Sequence, residues 1–110
     1  MAITEPRYIK KVAINKKKGG KFELSRQALK WLALKAPSVD IDYWENNPDY
    51  RTHPLLIECI LSLGSKASTI SSDIACVDIK KGIRYLIQKE DGAESVLFPN
   101  EIRWSRMWAW

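Results

Sequence analysis

The sequence has few of the side chains that most often bind metals. It contains one histidine, His53, and two cysteines, Cys59 and Cys76, which stand seventeen positions apart. A zinc site needs three or four such ligands at characteristic spacings, so we expect neither a metal site nor a metal cofactor. Both cysteines lie among apolar residues. We interpret them as reduced, buried thiols, although the sequence also allows a disulfide.

Recognisable catalytic motifs are also missing. No serine lies in a glycine-flanked nucleophile elbow, and there is neither a P-loop nor a dinucleotide-binding fingerprint. His53 precedes a proline at a predicted helix start, where a structural role is expected. Asp40, Asp42 and Asp49 supply carboxylates, but any acidic loop would do so. The sequence therefore predicts a non-enzymatic protein.

No hydrophobic run is long enough to span a membrane. The longest, Pro54–Leu61, is interrupted by Glu58. The first residues, MAITEPRYIKK, have no apolar signal core. The 110 residues are 45% hydrophobic and 28% charged, which is typical of one globular domain. We expect a single cytoplasmic domain that makes no membrane contact.

Positive charge is abundant and unevenly distributed. The formal net charge is +5, and six lysines fall within twelve residues, namely Lys10, Lys11, Lys16, Lys17, Lys18 and Lys21. Such a cluster favours an anionic partner, either nucleic acid or a phosphorylated small molecule. Alternatively, these lysines are a solvated hairpin tip that protects an edge strand from aggregation.

The first half of the chain predicts a hairpin and two helices. RYIKKVAIN and KFEL are typical of strands, and KKKGG between them is typical of a turn. Ser25 predicts the N-cap of a helix over 26–35, and Pro54 and Gly64 bound a second helix over 54–63. A short strand is expected around 41–44. The second helix is apolar on most sides, which suggests that another subunit covers it.

The second half predicts strands. IACVDI and IRYLIQ precede the hairpin dipeptide Asp91-Gly92, and ESVLF returns from it. In the last segment, IRWSRMWAW, alternation favours a strand with Trp104, Arg106, Trp108 and Trp110 on one face. The predicted order is ββαβαββββ, an α+β fold with a mainly antiparallel sheet and two helices. Residues 104–110 are expected to pack against another subunit, or alternatively to fold back over their own sheet.

Several polar residues are candidates for binding an anion. Arg26 follows the N-cap of the first helix, where free N–H groups and a guanidinium can together hold a phosphate, although a helix also tolerates an arginine there. Arg51 precedes the second helix, and Arg103 and Arg106 lie in the last segment. Elsewhere, Gln88 and Asp91 suit base edges or ribose hydroxyls, or are simply hairpin residues.

Four segments together resemble a family of small phage proteins that we associate with the Thoeris anti-defence sponges. They are KFELSRQALKWL, R-x-x-P-L-L-I-x-x-I-x-x-L-G-x-x-A-S, VDI-x-x-G-I-x-Y-x-I-Q-x-E-D-G-A-E and RW. The resemblance covers about residues 20–104. It implies a homo-oligomer that sequesters cyclic nucleotide immune signals, such as glycocyclic ADP-ribose or cyclic oligonucleotides, without cleaving them. It also implies that ligands are held at subunit boundaries in the cytoplasm of the bacterial host.

The resemblance implies a set of ligand-binding residues: Arg26, Arg51, Gln88, Asp91 and Arg103. The segment AESVLFPNEI between DG and RW is longer than in that family, so Arg106 stays an alternative to Arg103. Tyr85 and Phe98 are equal candidates for stacking on a base. The competing hypothesis is a small basic phage protein that uses its lysines to bind nucleic acid, or one that inhibits a host defence protein.

Overall fold

A computed structural model describes residues 9–98 and has an α+β fold. The helices and strands, in chain order, are β1 (Ile9–Asn15), α1 (Arg26–Lys35), α2 (Ile41–Asn46), α3 (Pro54–Leu63), β2 (Ile74–Lys80), β3 (Leu86–Glu90) and β4 (Ala93–Leu97). Two 3₁₀ helices, Pro48–Thr52 and Gly64–Ala67, flank α3. None of the helices in this range has the length and apolar character needed to span a bilayer.

The two strands β1 and β2 form an antiparallel ribbon between two layers. Val12 lies opposite Val77. Successive side chains along each strand point to opposite faces of the ribbon. One face, with Ala13 and Ile74, packs against the helices around Leu32 and Leu56. On the other face, a second core contains Val12, Ile14 and Ile79, against which Tyr85, Ile87, Val96 and Phe98 pack. The β3–β4 hairpin therefore covers the side of the ribbon that the helices leave open.

Both predicted helices are confirmed with their predicted bounds. The Ser25 hydroxyl accepts a hydrogen bond from the Ala28 amide at 3.1 Å and so caps α1. Pro54 begins α3, and Gly64 ends it with a φ of 59°. In α3, Cys59 is fully buried but Leu61 is 59% exposed. The described residues thus cover one side of α3, and its cover by another subunit stays a prediction.

Two predicted strands are wrong. KFEL forms no strand, because Leu24 makes only an isolated bridge to Ser68 and its amide donates to the Glu45 carboxylate at 2.8 Å. The segment around 41–44 is helical instead. The Asp40 carboxylate accepts the Asp42 amide at 3.0 Å and starts α2, which buries Trp44 completely. This capping bond decides the conformation of a stretch whose short apolar pattern fits a strand equally well.

The predicted sheet is also divided differently. Within residues 9–98 there are two two-stranded antiparallel sheets, β1–β2 and β3–β4, where one sheet was expected. As KFEL supplies no partner, β1 pairs with β2, which follows the helices in the sequence. The last predicted strand and the tail 104–110 lie outside the described residues.

The hairpin at Asp91-Gly92 is confirmed. Both residues have positive φ, 55° for Asp91 and 85° for Gly92, as a type I′ turn requires. The turn packs on the glycine-rich loop after β1, where the Gly19 amide donates to the carbonyl of Asp91. A Cβ on Gly92 would collide with the backbone of Gly20. Two glycines therefore allow the two loops to touch.

We predict that Gly92→Ala destabilises the protein more than Gly82→Ala does. Both glycines have a φ near 85°, but a Cβ on Gly82 meets nothing within 4 Å. Gly82→Ala should lower the free energy of unfolding by about 1 kcal/mol, because alanine is disfavoured at positive φ. Gly92→Ala should cost roughly 2 kcal/mol more, because the two loops must separate. Urea unfolding measures both, and equal losses would contradict the predicted contact.

Candidate functional site

The 3₁₀ helix Pro48–Thr52 directs Arg51 into the protein. The Asn47 side chain caps this turn by accepting the Asp49 amide at 3.0 Å, and Pro48 fixes its first residue. The Arg51 side chain is only 9% exposed. Its guanidinium lies over the Phe22 ring, 3.7 Å from the ring centroid. Arg51 is thus a buried cation that rests on an aromatic face.

Arg51 forms a two-pronged ion pair with Glu94 of β4. Nη1 lies 2.7 Å from Oε1, and Nη2 lies 3.0 Å from Oε2. Nη1 also donates to the carbonyl of Ala13 at 3.1 Å, and Glu94 Oε1 accepts the amide of Asn15 at 2.8 Å. Both backbone groups point away from β2, at the open edge of β1. The pair therefore satisfies an edge of β1 that pairs with no other strand among residues 9–98.

Asn15 extends this network to the loops. Its side chain is fully buried and donates to the carbonyls of Lys17, at 3.2 Å, and Gly92, at 3.0 Å. Its carbonyl oxygen accepts the amides of Lys17 and Asp73 at 3.1 and 2.8 Å. One side chain thus holds the lysine-rich loop, the segment before β2 and the hairpin turn together.

The environment of Glu94 favours its charged form. Burial by itself raises the pKa of this carboxyl. The hydrogen bonds from Arg51 and the Asn15 amide, with the positive charges of Arg51 and Lys89, outweigh burial and lower its pKa from the ordinary value of 4.5. Glu94 is therefore ionised at neutral pH, and its pairing with Arg51 is a buried ion pair.

A cavity of about 440 Å³ lies beside this ion pair, between the helical layer and the hairpin. Its lining combines residues from α2, the 3₁₀ helix and the hairpin: Glu45, Asn46, Pro48, Arg51, Ile87, Lys89 and Glu94. Lys89 and Glu94 face each other across the hairpin, and Ile87 lies on the same face. The volume is within the range of small-molecule sites.

The polar groups of this cavity are not all used within the protein. Lys89 Nζ lies 4.0 Å from Glu94, and its side chain is 65% exposed. Glu45 uses Oε2 to accept the Leu24 amide at 2.8 Å. Arg51 Nε is buried and has no hydrogen-bond partner among residues 9–98. A cation, a carboxylate and an amide thus surround a space with apolar walls at Pro48 and Ile87.

A larger groove, of about 670 Å³, lies between β1 and α3. Ile9, Pro54, Ile57 and Leu61 give it a mainly apolar lining. Lys11 and Asp78 pair with each other at its border. The smaller cavity has more convergent polar groups, and such groups are what orient a small ligand. We therefore take the 440 Å³ cavity, hereafter the hairpin cavity, as the candidate site.

The predicted ligand residues are not gathered in one place in the described chain. Arg51 lines the hairpin cavity, but its terminal nitrogens bind Glu94. Gln88 pairs with Ser95 on the opposite face of the hairpin. Asp91 is exposed in the turn, and Arg26 is exposed at the start of α1. Arg103 and Arg106 lie outside the described residues. The binding role of all six stays a prediction.

Sequence reasoning missed the four other polar residues of the hairpin cavity: Glu45, Asn46, Lys89 and Glu94. The sequence does carry a signal for Lys89 and Glu94. The tight turn at Asp91-Gly92 sets the register, so Lys89 must face Glu94. Glu45 and Asn46 could not be found in this way, because a short strand was expected around 41–44 and the helix Ile41–Asn46 was not predicted.

The described residues offer no metal site. Among residues 9–98, no three histidine, cysteine, aspartate or glutamate side chains cluster as metal ligands would. In the same range Cys59 and Cys76 are free, and burial raises the pKa of the Cys59 thiol to about 11. Cys59 therefore stays protonated, which makes it a poor nucleophile at neutral pH.

Comparisons with known proteins identify no relative. The chain matches no protein-family model, no curated protein and no solved structure. The candidate site is therefore defined by its geometry alone.

We predict that Glu94→Gln lowers the free energy of unfolding by about 3 kcal/mol at pH 7, because it leaves Arg51 buried without an anion. Glu90→Gln, at an exposed position of the same hairpin, is the matched control. Urea unfolding at a series of pH values measures both. If Glu94→Gln lowers the free energy of unfolding as little as Glu90→Gln does, the ion pair contributes little to stability.

The same comparison has a predicted pH dependence. The pKa of Glu94 is lower in the folded protein than its ordinary value of 4.5. The carboxylate's contribution to the free energy of unfolding is therefore fully present above pH 4.5 and is lost as the pH falls through the folded pKa. The difference between the native protein and Glu94→Gln should therefore narrow in acid. A difference that stays constant down to pH 3 would contradict the assigned direction of the shift.

Proposed function

We propose that this protein is a non-catalytic phage anti-defence protein that binds and sequesters cyclic nucleotide immune signals, such as glycocyclic ADP-ribose or cyclic oligonucleotides. The observation that supports the proposal most directly is the composition of the hairpin cavity. It combines an accessible ammonium group at Lys89 with a carboxylate, an amide and apolar walls. A nucleotide needs these partners, because it joins an anionic phosphate to a flat base with a polar edge.

The lining also fits sequestration better than turnover. None of the seven lining residues carries a hydroxyl, a thiol or an imidazole. Those groups commonly attack or protonate phosphodiester bonds. Glycosidic bonds are cleaved mostly by pairs of carboxylates. Carboxylates are present, but Glu94 is held by Arg51 and Glu45 is bonded to a backbone amide. A site of this kind holds its ligand without changing it.

The proposal includes a homo-oligomer, as the resemblance implies. A second subunit would bring further predicted ligands, such as Arg26, to a shared site and would cover the exposed part of α3 around Leu61. Arg103 and Arg106 stay the candidates for additional phosphate contacts. Arg51 would act by positioning Glu94 and the cavity wall, since its terminal nitrogens already bind that carboxylate.

The alternative is a nucleic-acid-binding protein that uses the lysine-rich loop. Lys16, Lys17 and Lys18 are exposed beside the hairpin turn, which favours this second candidate. Lys17 is partly engaged, because Nζ donates to the carbonyl of Ile70 at 2.8 Å. Binding through such a loop would be independent of the hairpin cavity and would weaken steeply with salt.

We predict that Lys89→Met weakens the binding of a cyclic dinucleotide about tenfold, because a charge-assisted hydrogen bond to phosphate is lost. The triple variant Lys16, Lys17 and Lys18→Ala should bind as the native protein does. Calorimetry with cyclic di-GMP and cyclic di-AMP measures both variants. The opposite ranking would support the nucleic-acid alternative.

The fate of the ligand provides a second test. After incubation and heat denaturation, chromatography should recover the cyclic dinucleotide intact, because the protein is proposed to bind it without catalysis. Recovery of a linear product would contradict the non-catalytic assignment. Native mass measurement of the same complex gives the numbers of subunits and ligands.

A further inference from the structure

We propose that the hairpin cavity selects guanine over adenine, with Glu45 and Asn46 contacting the polar edge of the base. This inference rests on the proposed function, because it assigns parts of a bound nucleotide to parts of the same cavity. Among the proposed signals it favours guanine-containing cyclic oligonucleotides over glycocyclic ADP-ribose, whose base is adenine. Neither residue was a candidate in the sequence. Both stand at the end of α2, where consecutive side chains line the cavity.

The orientation of Glu45 is fixed before any ligand arrives. Its Oε2 accepts the amide of Leu24 at 2.8 Å. No hydrogen bond within residues 9–98 uses Oε1, and each carboxylate oxygen has two lone pairs. Glu45 therefore presents acceptor capacity without a donor to match it. It is held by the protein backbone, so it need not be reorganised on binding.

A carboxylate distinguishes the two purines by hydrogen-bond polarity. The pairing edge of guanine carries two donors, at N1 and N2, which match the acceptors of Glu45. Adenine has an acceptor at N1, which would face the carboxylate without a proton between them. Guanine O6 is an acceptor and suits the amide N–H of Asn46, on the residue next to Glu45. A site built for hydrogen bonds rejects a ligand that leaves them unmade.

The remaining parts of the cavity suit the remaining parts of a nucleotide. Pro48 and Ile87, from the 3₁₀ helix and β3, supply apolar surfaces for the faces of the base. Lys89 supplies a cation for phosphate at the exposed side. Arg51 Nε is a buried donor without an acceptor among residues 9–98, on a side chain that is nine-tenths buried and lines this cavity. An unmatched buried donor is costly, and it points independently to a polar ligand.

The test is the substitution Glu45→Gln, measured by calorimetry on the full chain with cyclic di-GMP and cyclic di-AMP. Glutamine keeps a carbonyl oxygen for the Leu24 amide, so the fold is expected to be retained. The native protein should bind cyclic di-GMP at least about tenfold more tightly than cyclic di-AMP. In Glu45→Gln the ratio should fall to within about threefold, through weaker binding of the guanine compound. Asp42→Asn, an exposed change on the same helix, is the control, and thermal unfolding verifies the fold of both variants.

The outcomes separate the inference from the proposed function. If the native protein binds both compounds equally, or if Glu45→Gln leaves the ratio unchanged, the guanine assignment is overturned while the sequestering function stands. If glycocyclic ADP-ribose binds more tightly than cyclic di-GMP, the guanine assignment is likewise overturned while the sequestering function stands. If none of the three compounds binds, both are overturned. If Glu45→Gln fails to fold, two other measurements test the guanine assignment. They are the ratio of the native protein's affinities for cyclic di-GMP and cyclic di-AMP, and the effect of Asn46→Asp. That change replaces the donor for O6 with an acceptor and should weaken cyclic di-GMP about tenfold.

Discussion

The buried ion pair between Arg51 and Glu94 joins parts of the chain that are far apart in sequence. It connects the segment before α3 with β4 and, through Ala13 and Asn15, with the open edge of β1. Taking two charges out of water is expensive, and it is offset only where geometry and further hydrogen bonds are good. Here both carboxylate oxygens are used, and the guanidinium also rests on Phe22. This contact therefore joins the helical layer, the ribbon and the hairpin at one point.

The same ion pair determines the character of the candidate site. The hairpin rests on the β1–β2 ribbon through apolar side chains, and Glu94 is its buried charged anchor to the helical layer. The hairpin cavity is the space left beside that anchor, so its shape follows from where the hairpin sits. Because Arg51 neutralises Glu94, the accessible cation for a ligand is Lys89. The buried arginine is an organising residue and the exposed lysine a binding residue.

Close approaches of backbone explain how the loops around the site are held. The hairpin turn and the lysine-rich loop touch where Gly92 meets Gly20, and the Asn15 side chain bridges both loops. The loop that carries Lys16 and Lys18 is therefore anchored at its base and exposed at its side chains. None of these lysines lines the hairpin cavity.

The sequence by itself determined the local elements. The bounds of α1 and α3 follow from Ser25, Pro54 and Gly64, and the final hairpin follows from Asp91-Gly92, because caps and tight turns depend on a few neighbouring residues. Those signals also fix that Lys89 faces Glu94. The helix at 41–46 escaped prediction because its N-cap bond competes with an apolar pattern that suits either conformation.

Only the tertiary structure decided which segments meet. The partner of β1 is β2, and no local pattern distinguishes that pairing from a hairpin with KFEL, since both supply apolar alternation. Arg51 has the same chemistry whether it binds a phosphate or a carboxylate. Its assignment to Glu94 depends on a contact across forty-three positions of the chain, which forms only when the hairpin packs on the ribbon. The hairpin cavity exists for the same reason: its walls belong to segments that are brought together by burial of apolar surface and not by their order in the sequence.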